Sequence, residues 1–461
     1  MIYKPHNYQT RATDFIIAHR YCALFLDMGL GKSVVTLTAV RMLLEDYMEV
    51  SKVLVIAPKS VARNTWTGEK DKWDHLKDLR ISLVMGTEKQ RAKALDAEAD
   101  IYVINRDNTT WLVDYCDNIL LQWPFDMVVV DESSSFKNWQ SRRFKSLRRM
   151  RWLIRMMVLL TGTPSPNGMM DLWAQIDLLD RGERLGKTIT SYRSVYFIPG
   201  RHNGHVVYDW RLRPGADKVI TEKISDICLS MQAADYLEMP DLIQAGMKIA
   251  LSEKEMKGYL EFEKEQLLEV DEEEIEAVTA AALTNKLLQY TGGAVYDSDH
   301  EWHEVGSSKV EALRDLMEST EESVLVFYQY QHELARIHRD FKDLDPVTFK
   351  GEPEILASWN AGEIRMLVCH PASVAYGLNM QQGGRIIVWY SPTWNLELYQ
   401  QANARLYRQG QDKPVLLYHL TAVGTMDEKV LDALEGKDEC QTALLRRIHE
   451  LKQQYHAEKR I

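Results

Sequence analysis

The sequence predicts an α/β protein with two parallel sheets, and three observations indicate this fold. The chain has 461 residues, of which 45% are hydrophobic and 27% charged, as in a globular protein of two or three domains. Short apolar runs alternate with helical patterns in its first part, and again after Lys309. Such alternation indicates parallel strands with crossover helices, and functional loops are expected at the carboxyl ends of the strands.

The predicted strands are short, apolar and rich in β-branched residues. They span residues 23–26, 53–57, 81–85, 101–104, 127–130 and 157–160 in the first region, and 324–327, 366–369, 386–389 and 415–419 in the second. Glycine and proline punctuate the chain after residue 180, and long helical patterns follow. We therefore predict a first lobe at 1–185, a linker and mainly helical insertion at 186–300, a second lobe at 301–440 and a C-terminal helix at 441–461.

Charge and cysteine usage exclude several classes of protein. Five scattered cysteines argue against a disulfide framework and a zinc site. No apolar run reaches membrane-spanning length and no signal peptide is evident, so we expect a cytoplasmic protein with no membrane partner. The net charge of -11 counts against a nucleic-acid partner. However, residues 142–155 carry seven basic side chains and no acidic one, and such a local surface can contact phosphate.

The segment from Asp27 to Ser33 follows the first predicted strand and precedes a helical pattern. Gly29 and Gly31 allow backbone N–H groups to turn toward an anion, and the helix that follows presents its positive end. Lys32 would reach the phosphates, and Ser33 would offer a hydroxyl to Mg²⁺. A structural turn explains the same pattern, so this segment alone leaves both interpretations open.

A second signal is the carboxylate pair Asp131 and Glu132, directly after the apolar run 127–130. Adjacent carboxylates repel each other unless a cation or a proton lies nearby. Asp131 would hold Mg²⁺, and Glu132 would act as general base on an attacking water. An ordinary polar loop is the alternative, but the position after a strand and downstream of a phosphate loop favours a site.

Several segments together resemble the superfamily II helicases, in their Swi/Snf-like branch. Residues 29–33, 131–134 and 160–167 resemble motifs I, II and III, and residues 401–411 are similar to motif VI. Further similarities are Tyr8-Gln9 to the adenine-reading motif, 235–240 to the inter-lobe connection, 376–381 to motif V and Trp394-Asn395 to the element before motif VI. Ser134 stands at the end of motif II, where the family usually has His or Asp. Ser391 stands where many Swi/Snf-like members have Asp, which favours a short phage or prokaryotic member.

The resemblance implies two RecA-like lobes, ATP as cofactor and Mg²⁺ as metal. It assigns catalytic roles to Lys32, Asp131, Glu132, Arg405 and Arg408; ATP contacts to Tyr8, Gln9, Asp27, Gly29, Gly31, Lys32, Ser33, Gly377 and Gln401; and metal binding to Ser33 and Asp131. Arg405 and Arg408 are predicted on one helix face, from which both would stabilise charge on the γ-phosphate. Gln9 would read the adenine edge.

The resemblance also implies nucleic-acid contacts in the loops after other strands. The candidates are Lys59, Ser60, Arg106, Thr161, Trp394 and Asn395, which would position phosphates without reading sequence. The tryptophans Trp66, Trp73, Trp111 and Trp139 are assigned to packing.

The function implied is a DNA-dependent ATPase that translocates on double-stranded DNA in a prokaryotic or phage-infected cell, remodelling or displacing structures bound to the DNA. Two alternatives remain open: a strand-separating helicase for replication, recombination or repair, and an ATP-switch subunit of a nuclease or restriction assembly. Branched or single-stranded DNA is a further possible substrate, and histones are not expected as partners.

Overall fold

The computed structural model describes residues 1–166, 168–200, 207, 210–237, 239–268, 277–297, 299–374 and 378–434, the side chains of residues 60, 234, 267–268 and 277–281 excepted. Two predictions, the C-terminal helix at 441–461 and the ATP contact at Gly377, lie outside these residues. The chain divides into two compact units, Met1–Glu238 and Met239–Ile461.

The first unit contains a parallel sheet and a separate short β-hairpin. Its strands are β1 (Tyr21–Leu26), β2 (Val53–Ala57), β3 (Ile81–Val84), β4 (Ile101–Asn105), β5 (Met127–Asp131), β6 (Met156–Thr161), β7 (Phe197–Pro199), β8 (Trp210–Leu212) and β9 (Cys228–Met231). Among the described residues, seven of them form one sheet in the order β3-β4-β2-β5-β6-β1-β9, with every pairing parallel. The antiparallel hairpin consists of β7 and β8.

Helices connect these strands. They are α1 (Asn7–Ala18), α2 (Lys32–Arg41), α3 (Lys59–Lys72), α4 (Glu88–Leu95), α5 (Thr109–Tyr115), α6 (Arg142–Met150), α7 (Leu172–Asp180), α8 (Ile189–Tyr196) and α9 (Ala216–Ile224). Strands β2, β4 and β5 are buried along their whole length, because helices cover both faces of a parallel sheet. This burial explains why continuous apolar runs, and not alternating ones, predicted them.

The second unit repeats the same architecture. Its strands are β10 (Leu242–Ile249), β11 (Ala294–Tyr296), β12 (Trp302–Glu304), β13 (Val324–Phe327), β14 (Val347–Phe349), β15 (Met366–Cys369), β16 (Ile386–Trp389) and β17 (Val415–Ala422). Its helices are α10 (Glu253–Leu268), α11 (Ala277–Thr291), α12 (Ser308–Ser319), α13 (Gln331–Asp340), α14 (Pro353–Asn360), α15 (Pro371–Val374), α16 (Leu396–Asn403) and α17 (Met426–Leu434). In the described part of this unit, six strands pair in parallel in the order β10-β17-β16-β13-β15-β14.

The predicted fold class, two lobes with parallel sheets flanked by helices, is confirmed, and every predicted strand is present. The boundary between the units lies at Glu238, inside the range 186–300 predicted as linker and helical insertion. Two strands of that range, β9 and β10, are edge strands of the two sheets. The pairing of β9 with β1 brings the residues that follow β9 next to the loop after β1.

No helix in the described part of the chain is both long enough and apolar enough to cross a membrane.

Candidate active site

The loop after β1 has the geometry of an anion-binding turn. Gly29 and Gly31 have φ angles of 88° and 78°, in the left-handed region that glycine adopts without strain. Gly31 is the N-cap of α2, so the first N–H groups of this ten-residue helix face the loop. A Cβ atom at Gly31 would lie 2.8 Å from Nε2 of Gln9, so glycine is also required by the close approach of α1.

Three neighbouring strands bring their carboxyl ends to Lys32. Its Nζ donates a hydrogen bond to the carbonyl of Leu26, the last residue of β1, at 2.8 Å. A Cβ at Gly162, directly after β6, would lie 3.7 Å from the same nitrogen. The charge of Lys32 also acts on Asp131, the last residue of β5. The sheet order β5-β6-β1 therefore assembles the predicted motifs I, II and III at one edge.

Asp131 is held in a buried position by two donors. Its Oδ2 accepts from Nε1 of Trp66 at 3.0 Å, and its Oδ1 accepts from the backbone N–H of Glu132 at 3.1 Å. Burial raises the pKa of Asp131, and the positive charge of Lys32 and these hydrogen bonds act in the opposite direction. Because burial disfavours the charged form of this carboxylate, a nearby cation would stabilise it.

Glu132 has a strained backbone and a directed side chain. Its φ angle of 52° lies in the left-handed region, which a residue with a Cβ adopts at a cost. The hydroxyl of Thr161 donates to its Oε2 at 3.4 Å, and the N–H of Thr163 donates to that hydroxyl at 3.1 Å. Thr161 is fully buried. The two adjacent carboxylates of motif II therefore have different surroundings.

A buried glutamine that the sequence did not reveal joins motif II to motif III and to the residues that follow it. The hydroxyl of Ser133 donates to Oε1 of Gln175 on α7 at 2.8 Å. Nε2 of Gln175 donates to the carbonyls of Pro164 at 2.6 Å and Asp171 at 3.1 Å. No local pattern marks this contact, because Ser133 and Gln175 are 42 residues apart.

The predicted adenine-reading residues lie on the first turn of α1. Oε1 of Gln9 accepts from the N–H of His6 at 3.0 Å, which leaves the Gln9 amide nitrogen against Gly31. The ring of Tyr8 contacts that of Tyr236, with centroids 5.2 Å apart.

The chain after β9 also contacts the phosphate loop. Oδ2 of Asp27 accepts from the N–H of Ala233 at 3.0 Å, and a Cβ at Gly29 would lie 3.6 Å from Leu237. The contact of residues 233–237 with this site was not predicted from the sequence. Residues 235–240 were expected only as an inter-lobe connection, and strand β9, which precedes them, is short and partly polar.

The second unit carries the two predicted arginines in turns and not on a helix, which corrects the prediction of a common helix face. Helix α16 ends at Asn403, and its last carbonyl groups accept hydrogen bonds from backbone N–H groups in the turns that follow. Nε of Arg405 also donates to the carbonyl of Gln401 at 2.9 Å. Both guanidinium groups nevertheless donate to the carbonyl of Leu378, at 3.0 Å from Arg405 and 3.4 Å from Arg408. Burial lowers the pKa of Arg408.

The remaining predicted residues of this unit have structural contacts. Gln401 is buried, and its amide donates to Glu397 at 3.1 Å. Asn395 is exposed and is the N-cap of α16, where its Oδ1 accepts from the N–H of Leu398 at 3.0 Å. Trp394 packs against the apolar cluster that includes Val430.

The predicted phosphate contacts of the first unit differ in exposure. Lys59 is exposed at the first residue of α3, and Arg106 is partly exposed in the turn after β4. The side chain of Ser60 lies outside the described residues. Thr161 is buried against Glu132, so its hydroxyl belongs to the carboxylate cluster.

Much of the charge of the basic stretch 142–155 is paired within the fold. Arg148 bridges to Asp177 at 2.6 Å, and Arg149 to Asp114 and Asp117 at 3.0 and 2.8 Å. The buried guanidinium of Arg151 donates to backbone carbonyls. The number of basic residues in this stretch thus overstates the positive charge available to a partner.

The residues of the first unit fit a magnesium ion bound together with phosphates. No group of three or more His, Cys, Asp or Glu side chains that could hold a metal occurs within the described residues. Mg²⁺, however, is commonly held by one or two carboxylates plus substrate phosphates. Asp131, with a second lone pair free on each oxygen, and the partly buried Ser33 on the first turn of α2 supply such ligands.

Comparison with known proteins decides the family. The family model "SNF2-related domain" matches residues 8–292, and "Helicase conserved C-terminal domain" matches residues 308–410. The chain belongs to the SNF2-related family. This membership confirms the predicted resemblance and the predicted enzyme class, a helicase-type ATP hydrolase, and it implies ATP binding.

The relatives differ in length. "Putative protein p41" of Acyrthosiphon pisum secondary endosymbiont phage 1 is 36% identical, over 96% of this chain and 98% of the phage protein. The "Putative ATP-dependent helicase/translocase YwqA" of Bacillus subtilis is 25% identical over 89% of this chain, and "Chromatin structure-remodeling complex subunit snf21" of Schizosaccharomyces pombe 24% over 94%. The chain spans only 45% and 38% of those two proteins.

Among solved structures, the Sulfolobus solfataricus SWI2/SNF2 ATPase core in complex with dsDNA matches over 95% of this chain and 93% of that chain, with 20% identity and a TM-score of 0.43.

Proposed function

We propose that this protein is a DNA-dependent ATPase that translocates along double-stranded DNA without separating the strands. The observation that carries the proposal is the assembly of Lys32, Asp131 and Glu132 at the carboxyl edge of one parallel sheet. The names of relatives support the choice of reaction and substrate, since they include a helicase/translocase and DNA repair and recombination proteins of the RAD54-like type.

The predicted ATP-site residues of the first unit have the following proposed roles. The N–H groups at the start of α2 and the ammonium group of Lys32 bind the phosphates, and Gln9 reads the adenine edge. Glu132 accepts a proton from the attacking water, and Thr161 holds its carboxylate in place through the hydrogen bond to Oε2.

Ser33 and Asp131 are the proposed ligands of Mg²⁺, which when bound neutralises charge on the phosphate oxygens. The burial of Asp131 favours this assignment, because a buried carboxylate is stabilised by a cation. Glu132 is assigned proton transfer, as the family resemblance implies, and the hydroxyl of Thr161 donates to its Oε2.

For Arg405 and Arg408 we keep the role that the family resemblance implies, stabilisation of negative charge that develops on the γ-phosphate. Their shared contact with the carbonyl of Leu378 gives the two guanidinium groups a common anchor. Lys59 and Arg106 remain the proposed phosphate contacts of the first unit, by position and exposure.

The proposal is tested by the rate of ATP hydrolysis with a panel of nucleic acids. Duplex DNA should stimulate turnover more than single-stranded DNA or RNA does. In Lys32→Ala turnover should fall by about 100-fold or more with every nucleic acid, because a fixed cation at the developing charge is lost. Stimulation by single strands alone would support the strand-separating helicase instead. Weak turnover that Lys32→Ala leaves unchanged would contradict the proposal and favour the ATP-switch subunit.

A further inference from the structure

A buried tryptophan contacts the proposed metal-binding carboxylate. Trp66 lies on α3 and is fully buried, and its Nε1 donates to Oδ2 of Asp131 at 3.0 Å across 65 residues of sequence. Trp66 therefore makes a specific hydrogen bond in addition to the packing contacts expected of it.

The acceptor distinguishes Trp66 from the other tryptophans buried in the described part of the chain. Trp173 and Trp359 donate to the backbone carbonyls of Gly186 at 2.9 Å and Met380 at 2.8 Å. Trp389 donates to the neutral amide oxygen of Asn403 at 2.9 Å. A buried indole needs an acceptor, but packing alone does not require a carboxylate.

An indole N–H suits the task of orienting a metal ligand. It donates one hydrogen bond, accepts none and does not titrate, so it orients Asp131 without neutralising it. With the indole on Oδ2 and the N–H of Glu132 on Oδ1, the plane of the carboxylate is fixed. Each oxygen still has a lone pair available for a metal ion, as is typical of ligands that a second layer of residues orients.

Helix α3 also connects this contact to a proposed phosphate contact. The helix begins at Lys59, which is exposed, and Trp66 lies about two turns further along. A displacement of the helix by a bound phosphate backbone would therefore reach Asp131 directly.

We propose that Trp66 is a positioning residue that orients Asp131 for the metal ion and ties this carboxylate to the helix that begins at Lys59. The inference rests on the proposed function, because it takes Asp131 as a magnesium ligand and Lys59 as a contact to nucleic acid.

The test compares the full chain with two variants at position 66. In one, Trp66→Phe removes the N–H together with part of the ring. In the other, the benzothiophene analogue of tryptophan replaces Trp66, so that a sulfur atom replaces the N–H and the bicyclic shape is kept. This variant serves as the test if the smaller ring of Trp66→Phe prevents folding. Trp173→Phe is the control, since Trp173 is a buried tryptophan of the same unit whose indole N–H donates to a backbone carbonyl.

The first readout is independent of catalysis. Mg²⁺ is titrated in the presence of ADP, and the thermal unfolding midpoint of each protein is followed. The Mg²⁺ concentration that gives half of the stabilisation is the midpoint of the titration. We expect the midpoint of both position-66 variants to rise about tenfold, as loss of a hydrogen bond to a charged group predicts, and that of Trp173→Phe to stay within about twofold.

The second readout is steady-state hydrolysis. In the position-66 variants kcat and the stimulation by duplex DNA should fall, while KM for ATP measured at saturating Mg²⁺ stays within about twofold, because the nucleotide contacts are unchanged. Unchanged Mg²⁺ midpoints in the benzothiophene variant would overturn the inference. If duplex DNA does not stimulate the unaltered protein, the proposed function fails, whereas the Mg²⁺ midpoints still report on Trp66.

Discussion

At the scale of single residues, the adjacent carboxylates of motif II illustrate how surroundings divide two chemically similar groups. Asp131 is buried beside the charge of Lys32 and accepts from an indole. Glu132 has a left-handed backbone conformation and accepts from the hydroxyl of Thr161. Paired carboxyl groups in different environments commonly take different roles, and these environments favour metal binding by the first and proton transfer by the second.

Arg408 offers a test of a proposed catalytic role. Arg408→Ala should lower kcat by about 100-fold or more, because a guanidinium at the γ-phosphate acts mainly in the transition state. ATP affinity, measured by equilibrium binding of a fluorescent analogue, should change little. Arg408→Lys is the matched variant: it keeps the charge but loses the planar fork that donates to Asn379 at 2.5 Å, and we expect only partial activity. Normal DNA-stimulated turnover in Arg408→Ala would refute the role.

At the scale of elements, motif II is held from two sides. Helix α3 contributes Trp66 to Asp131, and helix α7 contributes Gln175 to Ser133. Because Gln175 also donates to Pro164, the segment after β5 and the segment after β6 share one buried hydrogen-bonding partner. Ser134, which departs from the usual family residue, is itself buried in this turn.

A double-mutant cycle measures the coupling through Gln175. Gln175→Leu should lower the free energy of unfolding by about 1–3 kcal/mol, because it leaves the buried Ser133 hydroxyl and the Pro164 carbonyl without this partner. Ser133→Ala in the same protein should recover part of that loss, with a coupling energy of about 0.5–3 kcal/mol from denaturant unfolding. If the two substitutions are additive, the contact does not join the elements.

Another element contact lies in the second unit, where Glu255 of α10 occupies the start of α12. Its carboxylate accepts from the N–H of Ser307 at 2.7 Å and from the N–H of Ser308 at 3.1 Å. Burial acts to raise the pKa of Glu255, but hydrogen bonds from Ser252 and Ser308 outweigh it and lower the pKa to about 2. A carboxylate at a helix N-terminus is also favoured by the helix dipole.

The pH dependence of stability tests this contact. A carboxyl group with a lowered folded pKa contributes stability above its unfolded pKa, which is about 4.3, and loses it as the pH falls toward the folded value. Glu255→Gln should therefore be less stable than the unaltered protein at pH 7, and the difference in thermal midpoint should narrow between about pH 4.3 and pH 2. The exposed Glu253→Gln in the same turn is the control, with little effect expected. A difference that does not depend on pH would contradict the assignment.

At the scale of the whole molecule, what the sequence predicted and what it missed have different physical origins. Strands such as β5 were predictable because burial on both faces requires continuous apolar runs. The short strands β9 and β14 have no such run and depend on neighbours in the sheet. Motifs I to III were predictable because their chemistry needs particular residue types, whereas the contacts of Trp66 and Gln175 join distant segments and have no local signature.

The distribution of charge also matters at this scale. The chain carries a net charge of -11, and acidic neighbours pair much of the basic stretch 142–155. The proposed contacts with a phosphate backbone would therefore come from dispersed side chains such as Lys59, and the contribution of such contacts to binding weakens as salt screens it.

Displacement of a third strand from a DNA triplex tests the central claim most directly. The unaltered protein should release the strand from duplex DNA when ATP is supplied, while a forked duplex of the same sequence stays paired. Lys32→Ala and Glu132→Gln, which should bind DNA but not hydrolyse ATP, should release nothing. Efficient unwinding of the fork without displacement of the third strand would contradict translocation on duplex DNA.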